Sequence, residues 1–156
     1  MNNFDTEGIS KKLAGMAKRL NFLAAYRDLT LEEYEQDEIR QATIERFLEL
    51  IIQGAIDINK ILLKQVKGIS LKRDSEALTN AEIFRLVGEN GFISPELAEQ
   101  LAESGKFRNV LAHVYDDLLP SKVYGALQQA LIQYPQYITE IQTYLDSMEV
   151  EDVEES

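Results

Sequence analysis

The sequence predicts an all-α protein, built as an antiparallel bundle of four to five main helices. Apolar residues recur at spacings of three and four along most of the chain, as they do on one face of a helix. Helix-capping patterns stand between these stretches. Only three prolines and eight glycines interrupt the 156 residues. A chain of this length is expected to form one domain with a sizeable core.

Two long helical patterns fill the first half of the chain. The first covers about 7–27, and its apolar positions are Ile9, Leu13, Met16, Leu20 and Leu23. Thr30 and Glu33 then form a capping box that starts a second helical stretch, which reaches about residue 65. Its apolar stripe is wide enough to be buried on more than one side. The stripe comprises Ile44, Phe47, Leu48, Ile51, Ile52, Ala55, Ile58, Ile61 and Leu62.

Gly54 lies inside this stripe, where a glycine costs about 1 kcal/mol relative to alanine. Two interpretations stay open. The glycine allows a close approach between helices, for example across a dimer axis, or it is merely tolerated.

A polar connection over 66–78 follows, with a basic patch at Lys72 and Arg73. The pair Thr79 and Glu82 repeats the capping box and predicts the start of a short helix.

The Asn-Gly pair at 90–91 is typical here of a helix end rather than a hairpin. Ser94 as N-cap and Pro95 at the first helical position start the next helix. Gly105 is predicted to terminate that helix.

The last helical pattern is expected to be capped by Ser121 and to end or kink at Tyr134, because Pro135 follows. The predicted domain covers residues 1–145, and residues 146–156 are expected to be a disordered acidic tail.

Composition excludes several classes of protein. The net charge of −11 argues against a static nucleic-acid coat protein. Removing the six acids of the tail changes the charge from −11 to −5, so the body could still carry a locally positive cleft. Cysteine is absent, which excludes disulfides, thiolate metal sites and thiol nucleophiles. No apolar run approaches the roughly 20 residues that span a bilayer. The start of the chain does not resemble a signal peptide, and a cytoplasmic location is expected.

One short segment, "FRNVLAHVYDDL" at 107–118, contains the single histidine of the chain. If it is helical, Asn109 and His113 share one face, while Arg108 and Tyr115 share a neighbouring face. Apolar residues between them can face the bundle and hold the polar set on an outward edge. Spacing alone also fits a partly buried histidine with an unrelated arginine and tyrosine nearby.

"RNVLAHVYDDL" resembles the R-x4-H-x-Y signature of the HepT-like branch of the HEPN superfamily, which comprises small all-helical ribonucleases. The stretches "IERFLELIIQGAIDINKILL" and "NAEIFRLVGENGFISPELAEQL" are similar to the family's long second helix and to the segment before its motif. The resemblance covers roughly residues 7–145. All four motif residues, Arg108, Asn109, His113 and Tyr115, are present.

The resemblance implies the toxin of a type VII HEPN/MNT toxin–antitoxin pair, a metal-independent endoribonuclease without a cofactor. Arg108, His113 and Asn109 would be its catalytic residues. RNA carries its own nucleophile, the 2′-OH, so a histidine for proton transfer and an arginine for phosphate oxygens suffice. Tyr115 would be the residue to which a cognate MNT-type nucleotidyltransferase antitoxin attaches AMP. Asp57 has two interpretations: an ordinary polar position on its helix, or an acid that orients the motif or the dimer.

One histidine cannot be base and acid at once, and the resemblance implies a homodimer in which two motifs face a shared cleft. Two other classes of function remain open: a non-catalytic HEPN-like dimeric module that pairs with a nucleotidyltransferase, and a purely structural bundle. The intact set of Arg108, His113 and Tyr115 favours the ribonuclease over both.

Overall fold

The computed structural model describes residues 5–113 and 118–155, with side chains described as far as residue 149. Over this part of the chain it is a helical bundle with one two-stranded hairpin. The predicted all-α class is therefore confirmed. None of the helices in the described part of the chain combines the length and hydropathy that a bilayer crossing requires.

Helix α1 spans Thr6–Ala24 and begins where the Asp5 side chain accepts a hydrogen bond from the Gly8 N–H at 2.7 Å. All five apolar positions predicted to face the core are buried, at 6% exposure or less. The periodicity of this stretch was therefore sufficient to locate both the helix and its buried face.

The predicted second helix is two helices, α2 (Leu31–Glu35) and α3 (Glu38–Ile61). The capping box of Thr30 and Glu33 is present at the start of α2. Asp37 adopts an extended conformation and accepts the Arg40 N–H at 3.0 Å, so it caps α3. The break was not predicted, because neither a proline nor a glycine marks it.

Helix α3 passes into a π-helical turn, Leu62–Val66, which the left-handed Gly68 closes (φ 64°). A short hairpin follows, with β1 (Lys72–Arg73) antiparallel to β2 (Glu76–Ala77). Its two-residue turn, Asp74 and Ser75, has positive φ at both positions. The hairpin was not predicted, because its strands are too short to alternate.

Helix α4 (Asn80–Glu89) starts at the predicted capping box of Thr79 and Glu82 and ends at the predicted Asn-Gly pair. Gly91 has φ 80°, and the Phe92 N–H bonds the Val87 carbonyl at 3.0 Å, which is the closure expected of a glycine-terminated helix.

Helix α5 spans Pro95–His113 and helix α6 spans Pro120–Glu155. Two predicted boundaries are wrong: Gly105 lies inside α5, and α6 begins at Pro120 rather than after Ser121. Helix α6 also continues through Pro135, so it does not end at Tyr134, and the alternative of a kink there stays a prediction. The tyrosines on either side of Pro135 are buried in the core, and this packing holds the helix together past the missing N–H.

Helix α6 also passes the predicted domain boundary at residue 145, since it continues to Glu155. The division into a domain over 1–145 and an acidic tail over 146–156 stays a prediction.

Helix α1 packs on α3 and α6, while α4 and α5 pack closely on each other and on α3. A Cβ on Gly54 would lie 2.9 Å from Cγ of Met16. Gly54 therefore allows a close approach to α1 within the chain, and a contact across a dimer axis stays a prediction. Tyr137 of α6 donates a 2.6 Å hydrogen bond to Oδ1 of Asn59, a fully buried polar side chain of α3.

Candidate active site

The motif lies on the second half of α5, which is continuous from its cap. The Leu97 N–H bonds Oγ of Ser94 at 3.2 Å, and Pro95 occupies the first helical position. Gly105 does not end the helix because it packs against α4: a Cβ there would lie 3.1 Å from Cδ2 of Phe84 and 3.2 Å from the backbone carbon of Asn80. The glycine thus permits close contact between the two helices and places the motif just beyond that contact.

The motif residues differ in burial. Arg108 is half-buried, whereas Asn109 and His113 are exposed. Leu111, between them, is buried at 7% exposure. Asn109 and His113 follow one another on one helix face, separated by about 6 Å of helix rise. The structure therefore shows Asn109 and His113 on an exposed helix face backed by Leu111, with Arg108 only partly exposed.

Nε of Arg108 is buried and has no hydrogen-bond partner within the described chain. An unsatisfied buried donor costs roughly 1–3 kcal/mol. Because Arg108 as a whole is only half-buried, a phosphate oxygen or a group of another chain would have to approach the solvent side of its guanidinium.

Tyr115 and its neighbours Asp116 and Asp117 lie outside the described residues. Asp57 is described, on α3, where it accepts a 2.8 Å hydrogen bond from Gln53 and lies 3.9 Å from Nζ of Lys12 on α1. No contact in the described residues joins Asp57 to the motif. A role for it as an orienting acid stays a prediction.

An apolar groove of about 560 Å³ opens between α3, α5 and α6, next to the motif. Phe107, the residue before Arg108, lines it together with Leu48 and Ile52 of α3. Ser104 and Tyr134 form its polar floor, with their hydroxyl oxygens 2.6 Å apart. Burial raises the pKa of Tyr134, so this hydroxyl stays protonated at neutral pH. The sequence did not reveal the groove, because its walls come from three distant segments; Phe107, adjacent to the motif, was the one available signal.

Two ion pairs involve acidic residues of α5. Arg85 of α4 makes a two-bond contact with Glu99, with both distances 3.0 Å. Lys106 pairs with Glu103 at 3.2 Å. In the described ranges, no group of three or more His, Asp or Glu residues could hold a metal ion.

A compact helical bundle that places an R-x4-H motif on one helix edge, beside an apolar groove, defines a protein of the small all-helical ribonuclease class. The model of the family described as Ribonuclease HepT-like matches residues 16–154. The chain is also 36% identical over 151 residues to a tRNA nuclease HepT of Aphanizomenon flos-aquae, covering 97% of this chain and 99% of that protein. The chain belongs to the HepT-like family, whose members are endoribonucleases.

Solved structures share the fold. The tri-AMPylated HEPN toxin of Shewanella oneidensis, solved in complex with an MNT antitoxin, is 22% identical with a TM-score of 0.73, covering 92% of this chain and 99% of that chain. The cytosolic protein YutE of Bacillus subtilis, of unknown function, is 15% identical with a TM-score of 0.77, covering 95% of each chain. The predicted HEPN-like bundle is confirmed by these similarities.

Proposed function

We propose that the protein is the toxin of a HEPN/MNT toxin–antitoxin pair and cleaves RNA without a metal, with tRNA as the substrate class. The observation that carries this proposal is the presence, on one edge of α5, of the half-buried Arg108 beside the exposed His113. The tRNA assignment is supported by the 36% identical relative, which is named a tRNA nuclease. The proposed compartment is the cytoplasm, where tRNA is found.

The proposed chemistry uses the 2′-OH of the RNA as nucleophile. His113 takes the proton of this hydroxyl as the oxygen attacks the adjacent phosphorus. Arg108 donates hydrogen bonds to the phosphate oxygens, where negative charge increases in the transition state. Asn109, one turn before His113 on the same face, positions the imidazole or the ribose. The 5′-oxygen leaves as it accepts a proton, which gives a 2′,3′-cyclic phosphate and a 5′-hydroxyl end.

Two proton-transfer groups are needed, and each chain carries one histidine. We therefore propose a homodimer in which the motifs of two copies face one cleft. The apolar groove supports this arrangement, because the half-buried Phe107, next to Arg108 in the chain, lines an opening whose inner wall includes the buried Leu48 and Ile52. Sedimentation should show a dimer at micromolar concentration; a stable monomer would leave the site with half its groups.

We propose that a cognate MNT-type nucleotidyltransferase neutralises the protein by attaching AMP to Tyr115. Residues 108 and 115 are seven apart, which on a continuous helix brings them within about 20° of the same direction. A phosphodiester on the tyrosine would then compete with substrate phosphate for Arg108. The Shewanella toxin with which this chain shares its fold is AMPylated and bound to an MNT antitoxin, which supports the proposal.

Induced expression in cells tests the pairing of toxin and antitoxin. Wild type alone should stop growth and deplete intact tRNA, while Arg108→Ala and His113→Ala should be harmless at equal protein levels. Co-expression of the nucleotidyltransferase should restore growth. Growth arrest by His113→Ala at the wild-type level would show that toxicity does not come from this site and would favour a non-catalytic binding module.

A further inference from the structure

Positive charge is concentrated in one segment of this acidic chain. Residues 60–73, here called the basic segment, contain five of the sixteen cations of the chain and no acid. The other eleven cations share the rest of the chain with all 27 acids. The basic segment comprises the end of α3, the π-helical turn and strand β1.

The cations of this segment are available to a partner. Lys64, Lys67 and Lys72 are exposed, and none of them has an ion-pair partner among the described residues. Arg73 is paired with Glu82 at 3.1 Å and remains 68% exposed. The nearest acids along the chain on the hairpin side, Asp74 and Glu76, lie at and just after its turn.

The segment is also held in place, which separates it from an ordinary mobile charged loop. Ile69, Leu71 and Leu78 pack their side chains against the core. The Leu78 N–H bonds the Leu71 carbonyl at 2.9 Å and closes the base of the hairpin. An apolar underside thus fixes the hairpin, while Lys72 on its other side faces solvent.

The basic segment leads toward the motif. Lys67 lies over the ring of Phe92, just beyond the end of α4, with Nζ 5.9 Å from the ring centre. Arg73 pairs with Glu82 in the first turn of α4, so the segment runs back along this helix, which is about 15 Å long.

Asn80, the first residue of α4, bonds the Gly105 carbonyl of α5 at 3.5 Å. Arg108 stands three residues further along α5, about 4.5 Å of helix rise.

We propose that the basic segment is a second phosphate-binding surface, which holds the body of a structured RNA while the cleaved strand lies at Arg108 and His113. This inference rests on the proposed function and concerns substrate binding rather than the chemical step. Phosphate contacts of this kind position an RNA without reading its sequence, and they release counterions on binding. A run of cations that reaches the start of α4, the helix packed on α5, suits an extended polyanion better than a small anionic ligand.

The test uses full-length protein and bulk tRNA. The variant Lys64→Gln/Lys67→Gln/Lys72→Gln removes three charges from the basic segment. The matched control Lys11→Gln/Lys18→Gln/Arg27→Gln removes three exposed cations from α1 and the turn after it. Binding is measured with each set in a His113→Ala background, from low to high salt, and cleavage is measured with His113 intact. Thermal melting confirms that all proteins fold.

The basic-segment variant should bind tRNA at least about tenfold more weakly than the control at low salt, and the slope of log affinity against log salt should fall by roughly 2–3. The two variants should converge as salt increases. In cleavage, KM should rise by a similar factor while kcat at saturation stays at the control value. Equal affinity and equal salt slopes for variant and control would overturn the inference.

A loss of nucleotidyltransferase binding without a loss of tRNA binding would also overturn it and would assign the surface to the protein partner. If wild type neither binds nor cleaves tRNA, the proposed function itself fails, and that outcome is visible before any comparison of variants.

Discussion

Replacing Gly88 with alanine perturbs the contact between α4 and α5, the helix that carries the motif. Gly88 is buried, and a Cβ there would lie 2.4 Å from Cβ of Ala98. Carbon atoms in contact are ordinarily about 3.5–4.0 Å apart, so the two backbones must separate by about 1 Å or more. Overpacking of this kind costs about 1–3 kcal/mol. Alanine gains about 1 kcal/mol over glycine in a helix. Because neither Cβ can rotate away, the cost should lie in the upper part of its range, and the net loss of stability should be about 1–2 kcal/mol.

Urea denaturation and thermal melting measure this loss. For a chain of this size the melting temperature should fall by roughly 2–8 °C. Gly125→Ala is the matched control: Gly125 is exposed in α6, and a Cβ there meets no atom within 4 Å. The free energy of unfolding of Gly125→Ala should be about 0.5–1 kcal/mol higher than that of wild type, from helix propensity alone. Adding Ala98→Gly to Gly88→Ala removes one of the two Cβ atoms that clash. The double variant should therefore lose less stability than the sum of the two single variants, and this difference, the coupling energy, should be about equal to the overpacking cost. Equal stabilisation by Gly88→Ala and Gly125→Ala would refute the close packing of α4 on α5.

Three further predictions concern other parts of the chain. Tyr137→Phe leaves the buried Oδ1 of Asn59 without its donor and should cost about 1–3 kcal/mol of unfolding free energy, measured in urea. Hydrogen bonds from the Thr79 backbone and hydroxyl hold the pKa of Glu82 below its usual range. The loss of stability caused by Glu82→Ala should therefore be present at neutral pH and disappear as the pH falls through that lowered pKa. A loss of stability that persists in strong acid would contradict this linkage. Tyr115→Phe removes the oxygen to which AMP would be attached, so intact-mass analysis after co-expression with the nucleotidyltransferase should show added AMP on wild type and none on the variant; added AMP mapped to another residue would contradict the proposal.

Local patterns in the sequence located several helix ends correctly, because capping depends on a few adjacent residues. The boxes at Thr30 and Thr79 and the glycine closure at Gly91 are all present. Asp37 was missed because it stands among other acids, Glu33, Glu35 and Glu38, and looks like one more surface residue. In the structure its side chain caps α3.

Predictions failed where tertiary contacts outweigh local preference. Glycine is common at helix ends, yet Gly105 lies inside α5, where the absence of a side chain lets the helix pack closely against Phe84. Proline usually interrupts a helix, yet α6 continues through Pro135, where buried tyrosines nearby hold the helix against the core. Sequence alone does not show what lies against either residue.

The sequence predicted the exposure of two motif residues but not the surroundings of the motif. The motif's spacing placed Asn109 and His113 together on an exposed helix face, as the structure has them. The burial of Nε of Arg108, which has no partner among the described residues, and the groove beside Phe107 depend on the packing of the helices. They could be seen only once the bundle was assembled.

Cleavage of tRNA by purified protein in excess EDTA tests the central claim most directly, with Arg108→Ala and His113→Ala measured beside wild type. Wild type should remain active in the chelator and leave 2′,3′-cyclic phosphate ends, while each variant should lose about 10²–10⁴-fold in rate with its melting temperature preserved. Undiminished cleavage by His113→Ala, or loss of wild-type cleavage on chelation, would contradict a metal-independent ribonuclease built on this helix.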